Sequence, residues 1–224
     1  MFQWQLEIIR WIQSFHGLEQ PMNLLSIFGN EEFFLLAIPL IYWCINSRLG
    51  IRLAALLIIS VGSNALVKLI FHAPRPYWID TRIQALSSET TYGIPSAHAQ
   101  NAMSIWGYTA QYIKRQAWII ATVIILLISI SRVYLGMHFL TDVLAGWIIG
   151  IIILLITFRW QHQVIDWLSH LSIQKQISIS FALSVIYFLL ASIILLALPP
   201  VPVEWIQNAT AAIEIKRPIK LLNT

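Results

Sequence analysis

The sequence predicts an all-α integral membrane protein: a helical bundle of about six transmembrane helices with an N-terminal amphipathic interfacial helix. Three observations carry that prediction. Charged residues make up only 11% of the chain and hydrophobic ones 58%, whereas soluble domains are about a quarter charged. The mean hydropathy is +0.73. Five apolar runs reach the roughly 20 residues that a helix needs to cross a bilayer, and a sixth is polar only at one end.

Residues 1–16, MFQWQLEIIRWIQSFH, have no continuous apolar stretch and so do not read as a signal peptide. Trp4, Ile8, Trp11, Ile12 and Phe15 recur at helical spacing on one face, and Gln3, Glu7, Arg10 and Ser14 occupy another. Such a helix suits either the membrane interface or the flank of a protein core. The expected spans then cover about 30–46, 50–71, 95–113, 116–135, 138–158 and 177–198. Cys44, the single cysteine, sits in the first span and reads as an inert core residue; no intrachain disulfide is possible. Residues 72–94 form the one long internal loop, and Pro199, Pro200 and Pro202 stop the last span. This divides the chain into an arm over 1–28, a transmembrane domain over 29–198 and a tail over 199–224. The tail reads as a short helix on the outer surface, and its Asn208-Ala209-Thr210 matches the glycosylation acceptor pattern.

A net charge of +4 and a pI near 9.4 would raise the question of nucleic acid in a soluble protein. Here the basic residues are spread over several loops, so they report membrane orientation and no nucleic-acid partner is expected. One face carries Arg48, Arg52, Lys114, Arg115, Arg159 and Lys175 against the single acid Asp166. The other carries Arg10 and Arg82 against Glu7, Glu19, Glu31, Glu32, Asp80 and Glu89. The positive-inside rule puts the first face in the cytoplasm; Lys216, Arg217 and Lys220 in the tail argue mildly the other way.

Three polar constellations fall on the outward face. In KLIFHAPRP (68–76), Lys68 stands near the end of the second span, where a lone lysine ordinarily snorkels to the interface. Arg75 lies between Pro74 and Pro76, which fix the backbone and aim the guanidinium. In YGIPSAHAQ (92–100), Gly93 and Pro95 lead into a helix whose free N–H groups and dipole favour an anion. Ser96 adds a hydroxyl and His98 a proton, although a capping serine and an interfacial histidine would look the same. In SRVYLGMHFLTD (131–142), Gly136 serves a turn after Arg132, and His138 and Asp142 stand one helical turn apart on one face. A carboxylate on one imidazole nitrogen makes the other a better nucleophile. Three cations, two histidines, a serine and an aspartate at one membrane face describe a phosphate site with a nucleophile and an acid.

These stretches resemble the three signature motifs of the type 2 phosphatidic acid phosphatase family. The family pattern is Lys, six residues, Arg-Pro; Pro-Ser-Gly-His; and Ser-Arg, five residues, His, three residues, Asp. Order and internal spacing agree from Lys68 to Asp142. The resemblance implies a membrane-integral lipid phosphatase in which His138 attacks phosphorus, Asp142 orients it and His98 protonates the leaving group. Lys68, Arg75, Ser96, Arg132 and the backbone near Ala97 would hold the phosphoryl oxygens, with no metal or other cofactor. Ala97 departs from the family glycine. Alanine is tolerated there if the position is helical and costs activity if it needs positive φ.

An outward site at interfacial depth favours an amphiphile, and the family's membrane members act on phosphatidate, phosphatidylglycerophosphate, prenyl diphosphates, sphingoid phosphates and lipid A. The outward placement by itself suits recycling of a polyprenyl diphosphate such as undecaprenyl diphosphate. A lipid-binding or transport protein on the same scaffold, and a phosphotransferase to another alcohol, are the competing expectations. Tyr77 and Trp78 read as interface-belt aromatics, or else as the lining of a chain entry. Membrane lipids are the expected surroundings, and no pattern encodes an oligomeric state.

Overall fold

The computed structural model of the chain describes residues 2–214, apart from 88, 90 and 115 and the side chains of 213 and 214. Arg115, Lys216, Arg217 and Lys220, weighed above for orientation, lie outside the described residues.

Every regular element among the described residues is helical. α1 (Gln3–Gln13) and α2 (Glu19–Ile27) form the arm, and α3 (Glu31–Cys44) leaves α2 at 46°. Glu31 and Glu32 stand in the first turn of α3, where the helix dipole favours acids. α4 (Ser47–Phe71) begins on Asn46, whose side chain accepts the Leu49 N–H at 2.9 Å. It ends at His72, which takes left-handed backbone angles (φ 44). α5 (Pro76–Ile79) is a single turn with proline at its first position. α6 (Ala97–Asn101), a π-helical turn (Ala102–Trp106) and α7 (Gly107–Ile113) run on from one another. α8 (Ala117–Tyr134), α9 (Leu140–Ser169), α10 (Ile173–Ala197) and α11 (Val203–Glu214) complete the chain.

Four stretches are long and apolar enough to cross a membrane: Ser47–Ile79, α8, α9 and α10. The α2–α3 pair makes a fifth if it counts as one bent span. The expected weaker span over about 95–113 is not among them; it carries the buried Gln100, Asn101 and Ser104. These join α4 in a polar network. Ser60 Oγ donates to Asn101 Oδ1 at 2.7 Å, Gln100 Nε2 to the Ser60 carbonyl at 2.7 Å, and Asn64 Nδ2 to Gln100 Oε1 at 2.9 Å. Such bonds within a membrane contribute only about 0.6 kcal/mol each. Their main consequence is therefore register: they fix the start of α6 against α4.

Hydropathy does not separate inside from outside in such a bundle, because lipid is as apolar as the core. α10 has no buried residue. Cys44, expected in the core, is exposed, since α3 turns only Phe34 and Ile38 fully inward. Tyr77 and Trp78 are the reverse case. Expected at the interface, they are 1% and 8% exposed. α11 covers them: Trp205 lies 6.1 Å from Trp78, and Asn208 Nδ2 donates to the Trp78 carbonyl at 2.8 Å. That bond gives the asparagine of the acceptor pattern a packing role. The fifth helix also outruns its expected end at 158, reaching Ser169. No glycine or proline interrupts 151–169, and Tyr108 Oη ties the extension down through Gln161 Oε1 at 2.7 Å.

α1 serves both of the surfaces expected for it. It buries Gln5, Leu6 and Ile9, while Trp4, Trp11 and Phe15 are 53%, 65% and 49% exposed. Of the apolar stripe read from the sequence, Trp4, Trp11 and Phe15 thus face outward, fit for a lipid interface, while Ile8 and Ile12 are half-buried and Ile12 packs on the core. The inward face braces the turn between α8 and α9. Gln5 Oε1 accepts the Thr141 N–H at 3.1 Å, Gln13 Nε2 donates to the Tyr134 carbonyl at 2.9 Å, and Phe2 stacks on Phe139 at 4.8 Å.

α6 meets α9 at Gly146. A Cβ there would stand 2.6 Å from the Ser96 carbonyl oxygen and 3.2 Å from Ala99 Cβ. Overpacking of this kind costs about 1–3 kcal/mol. Gly146→Ala is therefore expected to lower the thermal unfolding midpoint and to push the start of α6 off α9. A thermal melt beside an activity assay checks it; an unchanged melt would mean that the two helices yield freely.

Candidate active site

The three sequence constellations converge because they stand at matching ends of neighbouring helices: the C-terminal ends of α4 and α8 and the N-terminal ends of α6 and α9. Arg48 in the first turn of α4 and Lys114 between α7 and α8 stand at the opposite ends of this helix set, and Lys175 lies in the first turn of α10, just past the far end of α9. Ser131 and Arg132 close α8, and the chain turns at Gly136, whose φ of 74 suits glycine. A Cβ at Gly136 would also meet the Gln84 carbonyl at 2.5 Å.

His138 lies just before α9, not inside it as the spacing implied; the helix starts at Leu140 on Phe139. The pair with Asp142 forms nonetheless. Asp142 Oδ2 lies 3.4 Å from His138 Nδ1 and accepts the Phe139 N–H at 2.9 Å. One carboxylate oxygen thus caps α9 and faces the imidazole, leaving Nε2 as the outer nitrogen. That nitrogen lies 3.4 Å from Arg75 Nη1. His138 is 1% exposed. Burial holds its imidazole well below the ordinary histidine pKa, and the nearby Arg75 and Lys68 push the same way.

Arg75 is fully buried and saturated. Nε donates to the Thr91 carbonyl at 2.6 Å, Nη1 to the Met137 carbonyl at 2.9 Å, and Nη2 to Thr91 Oγ1 and the Tyr92 carbonyl at 3.1 and 3.2 Å. Lys68, read as a snorkelling anchor, turns inward instead and donates to the Tyr92 carbonyl. Arg132 reaches α2 and the long loop: Nη1 donates to Ser26 Oγ at 2.7 Å and Nη2 to Glu89 Oε1 at 2.7 Å. Ser96 is buried as the cap of α6, its Oγ accepting the Ala99 N–H at 3.5 Å. Its own N–H donates to the Asp142 carbonyl at 2.9 Å, which binds the second constellation to the third. Ala97 is the first residue of α6, so the position that departs from the family glycine is helical.

Lys68, Ala97, His98 and His138 line one cavity of about 530 Å³, together with Asn101 and Glu89. Arg75, Arg132, Ser96 and Asp142 stand behind that lining. One wall is apolar: Val61, Ala65 and Leu69, spaced at i, i+4 and i+8, continue down α4 from Lys68. Among the described residues no group of three His, Cys, Asp or Glu could hold a metal ion. Two histidines, one of them backed by a carboxylate, beside buried cations can carry out nucleophilic displacement and proton transfer on an anionic ester.

Residues 49–166 match the PAP2 superfamily. The chain belongs to that family. It is similar to a probable sphingosine-1-phosphate phosphatase of Dictyostelium discoideum, 29% identical over 179 residues that cover 70% of this chain and 42% of that protein. It is also similar to phosphatidylglycerophosphatase B of Bacillus subtilis (strain 168), 38% identical over 78 residues, 30% of this chain and 38% of that one. The PAP2 chain thus spans about two fifths of these curated relatives. Its fold resembles the crystal structure of a transmembrane PAP2-type phosphatidylglycerolphosphate phosphatase from Bacillus subtilis, with TM-score 0.64 and 24% identity over 71% of this chain and 85% of that one. Aquifex aeolicus LpxE gives TM-score 0.61 and 21% identity over 69% and 94%.

Sequence reasoning missed three residues at this PAP2 site: Ser26, Glu89 and Thr91. Each is a polar partner of a motif arginine, at sequence separations of 106, 43 and 16. Nothing local to them signals the contact. Glu89 had been counted only as an acid of the outward face.

Proposed function

We propose that this protein is a lipid phosphatase that works through a phosphohistidine on His138, without a metal, at the outward face of a cell membrane. The observation that carries the reading is the shared cavity. His138 and His98 line the same space as Lys68, with Asp142 behind one imidazole nitrogen and Arg75 beside the other. Family membership supports it.

His138 Nε2 supplies the electron pair that forms the P–N bond as the P–O bond to the lipid breaks. Its Nδ1–H stays on Asp142. His98 gives its proton to the departing oxygen. Water then attacks phosphorus, His98 takes a proton from the water, the P–N bond breaks with its electron pair returning to His138 Nε2, and phosphate leaves. Lys68, Arg75, Arg132 and the N–H groups at the start of α6, where Ala97 is helical, stabilise the charge on the phosphoryl oxygens.

The substrate is an amphiphile whose phosphate or diphosphate sits at Lys68 and whose chain follows Val61, Ala65 and Leu69. Polyprenyl diphosphate, phosphatidate and phosphatidylglycerophosphate all satisfy that description, as do the sphingoid phosphates for which one relative is named. The charge asymmetry of the loops supports an outward site. The reading treats 95–113 as a sixth crossing, with 1–28 an arm and 199–224 a tail.

The test is phosphate release by detergent-purified protein in EDTA, over a prenyl diphosphate, phosphatidate, a sphingoid phosphate and a soluble phosphate ester. Release that survives EDTA supports the reading; none from any substrate would end it. Ala65→Trp, which narrows the apolar wall, is expected to raise KM for long-chain lipids about tenfold, and to do so more than for the soluble ester. Equal effects on both would place the chain elsewhere.

A further inference from the structure

Both arginines of the phosphate cradle already hold an anion that belongs to the chain. Glu89 Oε1 accepts from Arg132 Nη2 at 2.7 Å, and Oε2 lies 3.5 Å from Arg75 Nη2. The placement is built into the fold. Buried Tyr77 donates its hydroxyl to the Glu89 carbonyl at 2.9 Å. Thr91, two residues on, gives Arg75 both its carbonyl and its hydroxyl. Glu89 lines the cavity with Lys68, His98 and His138, and its side chain is 25% exposed, whereas those of Arg75 and Arg132 are 0% and 2% exposed. A phosphoryl group entering from the cavity therefore meets the carboxylate before it meets the guanidinium groups.

We propose that Glu89 is a specificity-determining residue: an internal anion that a phosphate monoester or terminal diphosphate displaces and a phosphodiester does not. The inference rests on the phosphatase reading above. In the free protein the carboxylate offsets the repulsion among Lys68, Arg75 and Arg132, which are buried side by side. Binding is then an exchange of anions. A terminal phosphate brings a charge of about −1.5 to −2 and three strong acceptor oxygens, more than the carboxylate it replaces. A diester brings a single charge and two free oxygens, which is no more than Glu89 already offers. The distinction matters because the site opens among membrane lipids, most of which are phosphodiesters in large excess over any substrate. Without Glu89 the same cations would hold those headgroups.

The experiment uses the full chain in mixed micelles, as wild type, Glu89→Gln and Glu89→Asp. Hydrolysis of the best substrate of the panel is measured against two inhibitors: orthovanadate, an analogue of the phosphoryl group, and phosphatidylglycerol, a diester. Loss of the carboxylate charge that faces both arginines is expected to lower both inhibition constants in Glu89→Gln, by about tenfold for the diester. Glu89→Asp keeps the charge and should stay nearer the wild type. Unchanged or weaker inhibition in Glu89→Gln would mean that Glu89 only holds the arginines in place, and the proposal fails. Should that variant not fold, Glu89→Ala also removes the carboxylate and carries the test with the same two outcomes. A wild type that releases no phosphate from any substrate would bring down the phosphatase reading, and this inference with it; a working wild type with an indifferent Glu89→Gln brings down only the inference.

Discussion

His138→Ala is expected to reduce phosphate release by a factor of about 10³–10⁴ or more, leaving only what the cations and the helix end provide without a nucleophile. The fold should survive the change. Asp142 Oδ2 keeps the Phe139 N–H at 2.9 Å and so still caps α9. A circular-dichroism melt close to the wild type, with no radiolabel retained after an acid-free quench from labelled substrate, is the expected pair of results. Equal release by the mutant would remove His138 from the chemistry. The pH behaviour has a definite sign. Because burial and then Arg75 hold the imidazole below its ordinary value, His138 stays neutral and nucleophilic as the pH falls through about 6.5. The acid limb of kcat/KM assigned to this group should lie below that point. Stability follows the same linkage. Below about 6.5 the unfolded chain takes up a proton that the folded imidazole refuses, so acid destabilises the fold through this group. His138→Ala should flatten that slope; a steeper one would contradict the shift.

Arg75→Ala is expected to cost stability as well as rate, with a smaller rate loss than His138→Ala. The guanidinium donates to the carbonyls of Thr91, Tyr92 and Met137, and it lies 3.4 Å from His138 Nε2. Truncation takes the donor from the buried Met137 carbonyl, at about 1–3 kcal/mol, whereas Thr91 is exposed and the Tyr92 carbonyl keeps Lys68. Truncation also leaves Glu89 with one arginine instead of two. The expected loss is about 1–3 kcal/mol of stability, with kcat/KM down by about 10²–10³ in whatever folds. Arg75→Lys separates the two parts. It restores the charge but not the fork, since one ammonium cannot reach the Thr91 and Met137 carbonyls together. Its stability should therefore recover less than its phosphate affinity. Full recovery of both would show that charge alone matters at this position.

Much of the site could be read from the chain because its parts are local. Lys68 and Arg75, Ser96 and His98, and His138 and Asp142 are spaced so that a helix end or a tight turn aligns each pair, whatever the rest of the protein does. The helical architecture was legible for a similar reason, since runs of apolar residues near bilayer length leave few alternatives. The composite helix over 97–113 is the exception: Gln100, Asn101 and Ser104 dilute its hydropathy because α4, not lipid, receives them.

What the sequence determined, then, was the all-helical membrane class, the motif residues and their local spacing. Tertiary structure decided which face of each helix points inward and which distant groups complete the site. Cys44 faces out, Tyr77 and Trp78 lie under α11, and Gln5 braces the Thr141 backbone. The physical reason is that lipid and core are equally apolar, so hydropathy carries no direction, and only packing against a neighbour supplies one. Ser26 and Glu89 belong to the same class. Arg132 needs buried partners wherever the fold can bring them, and residues 106 and 43 positions away come within 2.7 Å only because α2 and the long loop fold over the end of α8.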